Sequence, residues 1–358
     1  MTDLKFQHKV IDPKPLGCCN DVCLIADVDG DGQKDIIIGG KFDLECNPGT
    51  GKLVWYRYPD WTRYHIGTAE MEAGGVVHDI TRNGKPDIII GEQGRGKNLF
   101  WWENPENPEK PWKQRLITDR FQKYHDQAIG DVDGDGKDEL VVLSQGTRIL
   151  CYFDIPEDPT VEPWPEANCH IIAEDIEVEG ARVADIDGDG VNEIVAGDNI
   201  FKHEGDLTKP WKQRKLLPDF NLSRCAIADL NGNGHLDIVL AEGETHVARV
   251  VWLEGPDFKT VHTLRNDLFN PHSLEVADFT GNGSMDIFCG EMHLDKNQAP
   301  KLVLFLNDGK GSFEEMIIDC PQGTHEAKIG YFGGSKRPTI VGKPYAPNNQ
   351  VDIWEIVE

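Results

Sequence analysis

The chain has 358 residues and a formal net charge of -26, with 36 basic against 62 acidic side chains, so a nucleic-acid phosphate backbone would be repelled and DNA or RNA is excluded as a partner. No stretch is apolar for long enough to span a bilayer, and the start, MTDLKFQHKV, lacks the hydrophobic centre of a signal peptide; a soluble chain with no membrane partner is expected. Nine cysteines, an odd number without paired CxxC spacing, predict reduced thiols and a cytoplasmic home, or secretion if a leader has been removed.

The first element, Lys5-Phe6-Gln7-His8-Lys9-Val10-Ile11-Asp12, mixes cationic and apolar residues and has nothing before it to pair with. From Asp27 onward one acidic, glycine-punctuated phrase returns, each time followed by a β-branched run: DVDGDGQKDIII from Asp27, DITRNGKPDIII from Asp79, DVDGDGKDELVV from Asp131, DIDGDGVNEIVA from Asp185, DLNGNGHLDIVL from Asp229 and DFTGNGSMDIFC from Asp278. A seventh copy, YFGGSKRPTIVG from Tyr331, keeps the turn and the apolar run without the acids. The copies start 52, 52, 54, 44, 49 and 53 residues apart, the period of a four-stranded propeller blade. In each unit a small-residue strand precedes the phrase, a second follows it, a third is aromatic (Leu53-Val54-Trp55-Tyr56) and a fourth is cationic and apolar (Trp112-Lys113-Gln114-Arg115-Leu116-Ile117). The tryptophans are expected to pack between blades. Cys23, Cys151, Cys225 and Cys289 fall inside apolar strand patterns and are expected in the core. The last unit stops at its third strand, NQVDIWEIV, while the first element has the fourth-strand pattern. The two ends should therefore meet, giving an all-β, seven-bladed propeller, one domain over residues 1–358, closed by the N-terminal strand completing the last blade.

The repeated phrase carries its own chemistry. In Asp27, Asp29, Asp31 and Asp35 carboxylates recur at every second residue around Gly30 and Gly32, pointing oxygens at a hard cation as a calcium loop requires. Asp131, Asp133, Asp135 and Glu139 repeat the set, as do Asp185, Asp187, Asp189 and Glu193. Asp229, Asn231, Asn233 and Asp237 keep the oxygens with fewer charges and should bind more weakly, and the phrases at Asp79 and Asp278 depart further. Side-chain to backbone bonds could hold such turns without metal, but grouped carboxylates left empty would repel one another. Over essentially its whole length the chain resembles the FG-GAP or VCBS repeat propellers, and the resemblance implies structural Ca2+ at several of these turns.

A second pattern is one the repeat does not need. Six residues before each phrase stand Asp21, Ala73, His125, Glu179, Ser223, His272 and His325, and the next register holds Val22, Gly74, Asp126, Gly180, Arg224, Ser273 and Glu326. Six strand residues span roughly 20 Å, so this polar ring should lie at the face opposite the acidic turns and converge near the axis. Arg182, three residues before its phrase, and His78, directly before Asp79, add to the candidates. Three histidines in one register suit either a site for an additional divalent metal or acid and base groups for proton transfer. No GxSxG, HExxH or phosphate-cradling loop is present.

Single-domain propellers among the polysaccharide lyases, such as the rhamnose-glucuronate lyases, and the propeller of aldos-2-ulose dehydratase look similar in repeat and aromatic strands. That resemblance implies β-elimination on a uronic-acid-containing or keto-sugar substrate, with His125, His272 and His325 as base, acid or metal ligands and Arg182 and Arg224 holding an anionic group. The alternative is a non-catalytic, calcium-stabilised propeller binding a glycan or protein.

Overall fold

A computed structural model describes residues 4–220, 222–293, 297–345 and 349–357. Among these residues, 28 strands form seven four-stranded sheets. Six sheets take their strands in chain order, each pairing antiparallel with the next. Blade three is representative, with strands Tyr124–Gly130, Glu139–Ser144, Ile149–Asp154 and Cys169–Glu174. The seventh sheet is composite: Lys328–Gly330, Thr339–Gly342 and Val351–Val357 are completed by the N-terminal strand Lys5–Asp12. Its register pairs Lys5 with Val357 and His8 with Trp354, so the expected closure is what the chain adopts. His8 Nε2 lies 2.8 Å from Asp352 Oδ1, and its ring stacks on Trp354 at 4.8 Å.

The second strands are buried on both faces because neighbouring blades cover them. Ile36, Ile37 and Ile38 show why a run of β-branched residues replaces the alternation of a half-exposed strand. Trp55, Trp101, Trp102, Trp252 and Trp354 are fully buried, packing between blades as expected. Cys23, Cys151, Cys225 and Cys289 are buried free thiols. Asparagine amides latch blades at the turn end: Asn104 Nδ2 donates to Val28 O at 2.9 Å, Asn192 Nδ2 to Asp131 O at 2.7 Å, and Asn307 Nδ2 to Leu230 O at 2.8 Å. Each bond satisfies a backbone carbonyl and ties a blade to an earlier one.

First strands lie innermost, where the ring is tightest, and the register before three of them departs from ordinary backbone. Gly74 has φ of 88°, and a Cβ there would meet His125 O at 2.3 Å. Gly180 has φ of 69° and sits against the Arg224 and Cys225 backbone. In blade seven the same register holds Glu326, a non-glycine at φ 55°. A residue with a Cβ kept in the left-handed region costs about 1–3 kcal/mol and marks a position held by its surroundings.

Candidate axial site and acidic turns

All seven residues six places before the phrase are buried, and their strands bring them to one end of the axis. His125, Glu179 and His272 form a compact group whose ligand atoms all lie within 4.8 Å of one another. Glu179 bridges the histidines, with Oε1 3.5 Å from His125 Nε2 and Oε2 3.5 Å from His272 Nε2. Both ring nitrogens of His272 and Glu179 Oε2 lack a hydrogen-bond partner, although Glu179 and His272 are 0% and 1% exposed. Unsatisfied polar atoms at such depth are costly; His272 Nδ1 turns to Glu326 Oε1 at 3.3 Å, while His272 Nε2, the Glu179 carboxylate and His125 Nε2 face one another as a donor set for a cation.

The next register supplies the counter-charges. Arg224 reaches Asp126 at 3.1 Å through Nη1 and Glu326 at 2.5 Å through Nη2. Asp126 Oδ2 also takes His125 Nδ1 at 2.6 Å and the Gly180 N–H at 3.0 Å. Burial alone would lower the His125 pKa, but Glu179 and Asp126 outweigh it and carry it up to about 9. Burial would raise Glu179, yet His125 and then His272 and Arg224 bring it down to about 2. Burial opposes ionisation of Asp126 and Glu326 as well, and Arg224 overrides it in both, holding them below the usual carboxylate range.

His325 stacks its ring on His272 at 4.4 Å. Its Nδ1 faces the other way, 3.6 Å from Asp21 Oδ1 and 3.2 Å from Lys343 Nζ, and Lys343 also donates to the His325 carbonyl. Burial brings the Lys343 ammonium down to about 8, against the pull of Asp21 and Glu326. Lys41 pairs with Asp21 at 3.0 Å and stands 3.4 Å from the Tyr345 hydroxyl, at the half-buried rim.

The other candidates lie elsewhere. Arg182 is one layer further along the axis, its Nη1 on Ala181 O at 2.8 Å and its Nη2 3.8 Å from Glu275, which also takes Lys328 at 2.8 Å. Arg224 is enclosed by its two carboxylates, which leaves its charge matched before any ligand arrives. His78 is not brought to the axis: it stands at the acidic-turn end, Nε2 3.9 Å from Asp138. The spacing could have given this, since one residue before the phrase and six residues before it are opposite ends of a strand. Lys343 was missed altogether. Its signal is positional: four residues after the strand-opening Thr339, it occupies the place taken by Gly39, Gly91, Gly197 and Gly290 in other blades.

At the opposite end, each turn is held by its own aspartates. Asp131 takes the Gly134 and Gly136 N–H groups at 2.7 and 3.0 Å, and Glu139 takes Val132 N–H at 2.9 Å. Asp27 and Asp185 do the same for Gly30 and Gly32 and for Gly188 and Gly190. In blade five Asp229 binds Gly232 and Gly234, while Asn231 and Asn233 point amide oxygens at the turn backbone. Three carboxylates gather within 4.8 Å in blades one, three and four: Asp27, Asp29 and Asp35; Asp131, Asp133 and Glu139; Asp185, Asp187 and Glu193. These oxygen-only sets have the donor type of a hard-cation site, and in blade four the Lys202 ammonium lies among them, 2.7 Å from Glu193. Blade three is short of positive charge, for burial and then Asp133, Asp135 and Asp131 push Glu139 up to about 7.

The FG-GAP-like repeat profile matches residues 79–142, 131–196 and 229–289, together half of the chain. The chain belongs to the FG-GAP-like repeat family. No curated protein matches this FG-GAP-like chain in sequence. Among solved structures it is similar to the V. cholerae biofilm matrix protein Bap1, at 10% identity and TM-score 0.57, covering 99% of this chain and 92% of that one. It is also similar to a fungal alcohol oxidase of the AA5 family in complex with copper, at 14% identity and TM-score 0.56, covering 99% and 76%. At such identities the likeness concerns the fold. Among the described residues no helix is long and apolar enough to cross a membrane.

Proposed function

We propose that the axial centre is the working site and that the chain is a carbon–oxygen lyase acting on a uronic-acid-containing or keto sugar. The observation that carries this reading is the convergence of His125, Glu179 and His272 from three blades, with buried donor atoms left unpartnered. Those three residues would hold a divalent cation, which when bound would neutralise the sugar's carboxylate or carbonyl and so acidify the adjacent C–H. The protein's own groups suit the proton transfers. Lys343, lowered to about 8, is a base near neutral pH beside His325. Burial keeps the Tyr345 phenol protonated, so it can donate toward a departing oxygen with Lys41 at its side. Arg224 fixes Asp126 and Glu326 and thereby orients His125 and His272, a positioning role.

The alternative, a calcium-stabilised propeller that binds a glycan or protein without chemistry, is favoured by one observation: the trio is buried and Arg224 is already paired. Metal content and turnover separate the two. Elemental analysis should find a divalent metal that is lost in His272→Ala, and a panel of uronides and keto sugars should yield an unsaturated, ultraviolet-absorbing product whose formation falls at least ~100-fold in Lys343→Met with the metal retained. Turnover unchanged by alanine at His125, His272 and His325 would sink the lyase reading; no turnover with a retained glycan would favour the binder.

A further inference from the structure

The acidic turns look alike in sequence but differ in what faces them across the sheet. The residue opposite the last acid of each turn is set by the ladder between second and third strands. In blade three Glu139 pairs with Asp154. One step beyond Ile36–Tyr56, Ile88–Trp102, Ile194–Phe201 and Ile238–Leu253, the same place holds Arg57, Glu103, Lys202 and Glu254. A single third-strand position therefore faces the turn with an acid in blades two, three and five and with a base in blades one and four.

We propose that Lys202 is the built-in cation of blade four, so that this turn takes no calcium while the turn of blade three does. The Lys202 ammonium lies 2.6 Å from Asp187 Oδ2, 2.7 Å from Asp189 Oδ2 and 2.7 Å from Glu193 Oε1. Three carboxylates from alternating positions thus converge on one nitrogen, as they would on a metal, and three ammonium hydrogens can meet them. Asp185, the remaining acid, is used by the Gly188, Asp189 and Gly190 N–H groups. A calcium ion entering here would have to displace the ammonium and leave it next to a divalent charge.

Blade one is intermediate. Arg57 touches only Asp29, at 2.8 Å, and divides its guanidinium with Glu109 and the Tyr64 hydroxyl, leaving Asp27 and Asp35 without it. Blade three has the opposite arrangement. Its facing residue is a fourth acid, Asp154, paired with His170 at 3.0 Å, and Lys137 reaches out to Asp135 at 3.1 Å rather than into the Asp131, Asp133 and Glu139 group. Among the described residues no lysine or arginine pairs with that group, so its counter-charge must come from solution. This inference is independent of the axial chemistry.

Calcium bound per chain, measured by equilibrium dialysis with radioactive Ca2+ after chelator treatment, tests it. Lys202→Met should raise the count by one and make the melting temperature newly calcium-dependent. Asp187→Asn should leave the wild-type count unchanged but cancel the gain in Lys202→Met, and Asp133→Asn should lower the wild-type count by one. A folded Lys202→Met protein with no added ion would overturn the proposal, as would a lower count in Asp187→Asn alone. Should Lys202→Met fail to fold, the two aspartate variants still decide between the outcomes.

Discussion

The two ends of the innermost strands obey different rules. At the turn end six blades repeat nearly the same acids and glycines, and each turn is held by bonds within itself, as Asp131 and Asp229 are to the glycines that follow them. At the axial end one register holds three histidines and four other residue types, and the ion pairs that draw them into one centre run between blades: Arg224 to Asp126 and Glu326, Glu179 to His125 and His272. Local, repeated bonds build seven sheets; non-local, unrepeated ones make a single centre. The strained Glu326 and the close approach of Gly74 to His125 belong to the second kind.

If that division is right, substitutions at the axial end should be felt by the whole ring. Arg224→Met would leave Asp126 and Glu326 buried without their cation, and chemical denaturation should register a loss of about 3–5 kcal/mol or failure to fold. A loss below about 1 kcal/mol would show that the centre is not a shared fastening.

The charges there also set a pH window, best read in chelator-treated protein by melting temperature. Glu179, carried down to about 2, contributes stability present above its ordinary value of 4.5 and lost as pH falls toward about 2. His125, carried up to about 9, contributes stability present below 6.5 and lost as pH rises through about 9. Glu179→Gln should remove the acid limb and, since Glu179 is the largest of the carboxylate influences raising His125, shrink the alkaline one. Two limbs unchanged in that variant would assign them to other groups.

The smallest effect is expected at the repeated end. Asp229→Ala removes three turn bonds in one blade, and denaturation should show a cost of about 1–2 kcal/mol with the axial centre undisturbed. A collapse of the whole ring would erase the distinction between the ends.

The same distinction explains what could be read from the chain. The blades were legible because DVDGDG and its copies are local signals, and closure was legible because the first element lacks a sheet of its own. Convergence of His125 and His272 followed from counting residues along equivalent strands. The pairing among those residues did not, since it depends on how seven strands tilt against each other at the axis: that Arg224 spends both arms on Asp126 and Glu326, or that His325 turns to Lys343, has no trace in spacing. Lys202 was hidden for a different reason. It lies outside the acidic phrase and becomes its neighbour only through the ladder beside Ile194 and Phe201.

The composite seventh sheet has a consequence for assembly. Its outer edge, Lys5–Asp12, is made before every other strand of the ring, yet its partner, Val351–Val357, is made after all of them. Six sheets can therefore be finished during synthesis while that leading segment waits with an open flank. The ring acquires its final seam only once Val351–Val357 has been made, and pulling Lys5–Asp12 away from it should unzip that one seam before any other.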